Sequence, residues 1–139
     1  MKFYQTGNVY FLRLEIGEEV LATLTEFCKA QDIRLGQVNA IGAVSHAVTG
    51  LYNVAEQKYY STRIEGPLEI VSLMGNISRK DGEVYIHTHA SFSDLACNVR
   101  GGHLTEAVVS ATCEMVVTAY EGEVGRRVCE TTGLNIFDL

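Results

Sequence analysis

The sequence predicts an α/β fold of the α+β kind, with one main helix and a mixed, mostly antiparallel sheet. Three observations carry this. Only one stretch, near the N-terminus, has strong helical periodicity. Six or more stretches have strand character. Most connections between them are short, which favours antiparallel neighbours over long crossovers.

Taken in order, Val9 to Ile16 predicts a strand with Tyr10, Leu12, Leu14 and Ile16 on one face. Gly17-Glu18-Glu19 opens the helix, and its two glutamates suit the positive end of the helix dipole. Val20, Leu21, Leu24, Phe27 and Cys28 form one apolar stripe, and the helix runs to about Gln31. Gln37 to Val44 is a buried-strand candidate broken by Gly42, and strands over Ala47 to Asn53 and Tyr59 to Glu65 follow. Gly66-Pro67 punctuates the chain before Leu68 to Ile77, which reads as a central strand. Asp81-Gly82 is a hairpin-turn signal leading into Glu83 to His89. Ala90 to Gly102 reads as a loop, with a helical turn expected after His103. Val108 to Tyr120 alternates, placing Val109, Ala111, Cys113, Met115, Val117 and Ala119 on one face. Asn135 to Phe137 offers a short last strand.

Length and composition fit one domain over residues 1–139, with no linker or internal repeat. The net charge of −6 argues against a nucleic-acid footprint, which rests on neutralising phosphates. The adjacent basic pairs Arg79-Lys80 and Arg126-Arg127 read as solvated loop charge. The N-terminus has no apolar export segment, and no stretch approaches a membrane span. A cytoplasmic location is therefore expected, with Cys28, Cys97, Cys113 and Cys129 as reduced thiols, some of them packed in the core. Dinucleotide, P-loop and serine-hydrolase signatures are missing.

The concentrated chemistry is His87, His89 and His103. In a strand, positions i and i+2 share a face about 7 Å apart, so His87 and His89 can lean onto one ion at about 2.0–2.1 Å. Thr88 then faces the opposite layer. His103 follows Gly101-Gly102, whose lack of side chains suits a close backbone approach that folds this histidine back toward the pair. Three neutral imidazoles leaving one position open is a recognised zinc arrangement, and ordinary hydrogen-bonding histidines are the other reading. His46 lies apart and reads as a plain strand or loop residue. Asp94 and Glu114 are the candidate catalytic carboxylates, with Glu106 a further acidic neighbour. The plainer reading of Glu114 is a solvent-facing strand residue. Arg100 is a candidate for attracting an anion, or else a solvated loop arginine.

Several runs resemble a known family. Glu65-Gly66-Pro67-Leu68-Glu69-Ile70-Val71-Ser72-Leu73-Met74-Gly75-Asn76-Ile77 looks like its central strand. His87-Thr88-His89-Ala90-Ser91 and Gly101-Gly102-His103-Leu104 look like its histidine motifs. With Arg13 to Val20 and Thr132-Gly133-Leu134, these resemble the plants-and-prokaryotes conserved (PPC) domain over nearly the whole chain. The resemblance implies a trimeric α/β fold in which His87, His89 and His103 hold a zinc-like divalent metal. It also implies a DNA-binding or regulatory role. In plant members that role leans on an Arg-Gly-Arg-Pro AT-hook, which this sequence lacks. The fold is similar to that of acetolactate decarboxylases, an analogy that does not fix function. Three expectations follow: a trimeric, metal-binding regulatory module that contacts DNA; a metal-dependent lyase or hydrolase acting on a small carbonyl or carboxylate compound; or a structural zinc in a passive oligomer.

Overall fold

The computed structural model describes all 139 residues. Its elements are β1 (Lys2–Thr6), β2 (Val9–Leu14), α1 (Val20–Ala30), β3 (Gly36–Asn53), β4 (Lys58–Lys80), β5 (Glu83–Ser93), β6 (Val99–Ala119), β7 (Gly125–Val128) and β8 (Asn135–Asp138). All paired strands are antiparallel. The main sheet runs β1-β2-β6-β3-β4-β5, and β7 and β8 form a separate hairpin. The start of β6 also pairs with β5, so β3, β4, β5 and β6 close into a ring at one end.

One face of the sheet packs against α1. The helix begins where predicted. Glu19 is its N-cap, and its carboxylate accepts the Ala22 amide at 2.6 Å. The same side chain accepts the Ala107 amide at 3.0 Å, which ties the helix to β6. Val20, Leu24, Phe27 and Cys28 are buried along the stripe that the periodicity picks out. They join a cluster of 25 buried apolar residues drawn from every strand of the main sheet except β1. Cys28 and Cys113 belong to this core, and all four thiols are unpaired.

The strands differ from the sequence expectation in extent. The predicted pairs Gln37–Val44 with Ala47–Asn53, and Tyr59–Glu65 with Leu68–Ile77, are single long strands, β3 and β4. Gly66-Pro67 does not end a strand. It sits in a bulge opposite the register shift between Val44 and His46. Another shift, between Gly42 and Val44, faces β6 and turns Ala111 outward to solvent, although Val109 and Cys113 beside it are buried. Ile16 is also exposed, because β2 ends at Leu14. The expected loop Ala90–Gly102 shrinks to residues 94–98, and strand replaces the helical turn expected after His103. β1 and β7 have no counterpart among the predicted elements. The Asp81-Gly82 turn is as predicted, with both residues at positive φ (53° and 82°) between the paired Lys80 and Glu83. No helix is long and apolar enough to cross a membrane.

The other face of the main sheet is open except at one end, where the β7–β8 hairpin packs against β4 through Arg126. Cross-strand partners share a face, so the register defines one transverse row: Tyr4, Phe11, Val116, Asn39, Met74, His89 and His103. The histidines therefore lie at the ring end of the open face.

Candidate metal centre

β5 carries His87 and His89 on the open face, while Thr88 between them is 1% exposed in the opposite layer. β6 brings His103 directly opposite His89. The two glycines before it make this possible. A Cβ on Gly101 would overlap the Ala90 carbonyl, and one on Gly102 would sit 2.6 Å from the Gly50 oxygen. Three backbones converge there, and only glycine fits between them.

The three rings lie 5.1 to 5.5 Å apart, centroid to centroid. Each offers a ring nitrogen, and these nitrogens lie within 4.8 Å of one another. His87 and His103 are half-buried and His89 is exposed. Burial, then the neighbouring His103, Arg126 and His89, pushes the His87 pKa down to about 4. Burial, then His89, also lowers that of His103. Both rings are thus neutral with free lone pairs near neutrality, which a metal ligand requires. The donor set could hold a metal ion: three convergent imidazoles, with no fourth His, Cys, Asp or Glu grouped with them.

The cluster lines a cleft of about 930 Å³. Tyr59 stands on one side with its ring 5.7 Å from that of His103. The β7–β8 hairpin forms the opposite wall through Arg126, Leu134, Ile136 and Phe137. The reading of Arg126 as solvated loop charge is corrected here. Its Nε donates to Ser78 Oγ at 2.7 Å, Nη1 to the Asn135 carbonyl at 2.9 Å and Nη2 to Asn76 Oδ1 at 2.6 Å. The neighbouring Arg127 is the solvated one, paired with Asp138 at 3.2 Å.

Neither candidate carboxylate lines this cleft. Asp94 is committed to its own turn, where Oδ1 accepts the amides of Ala96 at 2.9 Å and Asn98 at 3.0 Å. Those bonds, the Asn98 amide first, lower its pKa. Glu114 is exposed near the far end of the open face, between Arg13 and Ile41, as its plainer reading has it. Arg100 is 62% exposed and 3.7 Å from Asp94. Glu106 serves a different histidine: His46 Nε2 lies 2.8 Å from Glu106 Oε1, which Arg63 also meets at 3.2 Å. What the sequence reading missed is the aromatic and hairpin wall. The signal in the sequence was Arg126, nine residues before the short terminal strand that begins at Asn135.

A family model described as the Plants and Prokaryotes Conserved (PCC) domain matches residues 1–121. No curated protein sequence matches the chain. Among solved structures, a candidate DNA-binding protein from Bacteroides thetaiotaomicron superposes with a TM-score of 0.96 at 30% identity, over 99% of this chain and 96% of that one. A metal-containing protein from Archaeoglobus fulgidus gives 0.88 at 34% identity, over the whole of both chains. The fold extends to the α-acetolactate decarboxylase of Bacillus subtilis, with a TM-score of 0.58 at 14% identity over 79% of this chain and 51% of that one. With the histidine motifs in the matched segment, the chain belongs to the Plants and Prokaryotes Conserved domain family.

Proposed function

We propose that this protein binds one zinc-like divalent ion per chain through His87, His89 and His103, and that the ion serves a small-molecule reaction in the adjoining cleft. The observation that carries this is the convergence of three imidazoles on a cleft, with no fourth His, Cys, Asp or Glu grouped with them. A divalent ion there supplies Lewis acidity toward a substrate oxygen. The chain's own residues contribute a wall that limits water: Tyr59 and Tyr85 beside the histidines, and the β7–β8 hairpin over them. A small carbonyl or carboxylate compound is the class that such a site accommodates, in a lyase or hydrolase reaction.

The test is metal analysis of tag-free protein after zinc loading and dialysis. About one ion per chain is expected, and none in the His87→Ala, His89→Ala double variant. Full stoichiometry in that variant would overturn the site.

Assembly as a trimer is part of the same reading. The open face exposes Phe11 (48%), Ile41 (60%) and Met74 (58%), apolar groups suited to burial between subunits. Light scattering should give near three times the 15.3 kDa chain mass, whereas a monomer would refute it.

A second reading, a DNA-contacting module, is favoured by the description of relatives such as the Bacteroides protein. With a net charge of −6 and no AT-hook, this chain lacks the basic excess that such contact requires. Salt-dependent retention on duplex DNA at physiological ionic strength would establish that reading against the present one.

A further inference from the structure

Charge is distributed unevenly over this molecule. The chain carries 17 acidic residues against 11 basic ones, yet none of the 16 residues lining the histidine cleft is Asp or Glu. The charged side chain in the lining is Arg126. It has no carboxylate within salt-bridge distance, whereas its neighbour Arg127 pairs with Asp138. Its three protein acceptors are a hydroxyl, an amide oxygen and a backbone carbonyl, all neutral. A guanidinium has five N–H donors, so two remain uncommitted.

The guanidinium is also held firmly. Tyr85 and Phe137 flank it, with ring centroids 4.6 and 4.5 Å from its central carbon. Stacking of this kind fixes a planar cation and weakens its hydration. A half-buried cation without a counter-charge is costly unless an anion arrives. The same wall presents Leu134 and Ile136, and Leu51 lines the cleft with them. A free phosphate would leave those groups without a partner.

We propose that the cleft selects a small organic carboxylate, with its anionic oxygens held by Arg126 beside the histidine-bound metal and its apolar body against Leu51, Leu134 and Phe137. This rests on the metal reading above. It makes the β7–β8 hairpin, which lies beyond the residues matched by the family model, the element that sets substrate class. It also assigns no acid–base role to a carboxylate of this chain within the cleft.

The experiment uses the full zinc-loaded chain, with 4-methyl-2-oxopentanoate as the probe and inorganic phosphate as its comparison, in titration calorimetry. Zinc content is measured first in wild type, Arg126→Gln and Arg126→Lys. Equal zinc in all three is expected. The probe should bind wild type, bind Arg126→Gln at least about tenfold more weakly, as loss of a charge-assisted hydrogen bond implies, and bind Arg126→Lys in between. Phosphate should bind more weakly than the probe. Wild type without zinc overturns the metal reading, and this proposal with it. Zinc present with no probe binding, or with unchanged affinity in Arg126→Gln, overturns this proposal alone. Equal losses in Gln and Lys would make Arg126 an anchor for the hairpin only, and phosphate binding as tightly as the probe would remove the organic body; either result overturns the assignment.

Discussion

His46 and the His87–His89–His103 cluster are two histidine environments on one sheet, and they are built on opposite rules. His46 has a carboxylate at 2.8 Å, and Arg63 shares that carboxylate. Ser45 Oγ lies 3.1 Å from its other ring nitrogen, so both nitrogens are occupied. The three clustered histidines have one another, an arginine and no acid. An imidazole paired with a carboxylate is satisfied as it stands. Three imidazoles facing one another repel once protonated, and their grouped nitrogens could instead hold a metal ion. The contrast separates a ligand from an ordinary histidine better than the residue type does.

The largest expected effect breaks the comparison at its centre. His103→Ala should remove stoichiometric zinc, while His46→Ala and Glu106→Gln keep it. Zinc at about a hundred times its dissociation constant stabilises a binding-competent fold by about 2.7 kcal/mol. Melting with and without zinc should therefore show a shift in wild type and His46→Ala and none in His103→Ala. A shift that disappears in His46→Ala would mean the two sites are not independent.

A smaller effect concerns protons. In an unfolded chain an imidazole is half-protonated near pH ~6.5. In the fold, burial first and then the neighbouring charges keep His87 neutral down to about 4. Between those values the unfolded state holds more protons, so acid favours unfolding. The metal-free protein should be at full stability above ~6.5 and lose it steadily as the pH falls toward 4. Urea midpoints measured in chelator across this range should fall less steeply for His87→Gln. An identical slope would show that the ring is not held neutral by the fold.

The sequence made one half of this comparison legible and obscured the other. His87-x-His89 needs only the two-residue period of a strand, and Gly101-Gly102 announces the close approach that brings His103 back. Helix α1 was equally readable, because its stripe and its acidic N-cap are local. Signals that depend on register were not. Ala111 shares the parity of Val109 and Cys113, and a bulge that cannot be read from parity turns it outward. Within Ala90 to Gly102 only residues 94–98 are loop, and Gly101 and Gly102 are small because the backbones at Ala90, Ser91 and Gly50 crowd against them. Arg126 is distant in sequence from the histidines and reaches them through the packing of a terminal hairpin. Asp94 and Glu114 drew attention by being acidic near the motif, yet acid is what the cleft lacks.

The smallest effect sharpens the division between the faces of β5. Thr88 sits between two histidines but points into the core, 1% exposed, and its hydroxyl has no hydrogen-bond partner. A buried unpaired hydroxyl costs about 1–3 kcal/mol, and valine has nearly the same shape. Thr88→Val should therefore raise stability by about 1 kcal/mol, or the melting temperature by roughly 2–4 °C in a domain of this size. Zinc stoichiometry should not move, because the substitution lies behind the strand that presents the ligands. A lower melting temperature would show that the hydroxyl has a partner, such as an ordered water. Weaker zinc binding would show that the two faces of β5 are coupled, and that the core side helps aim His87 and His89.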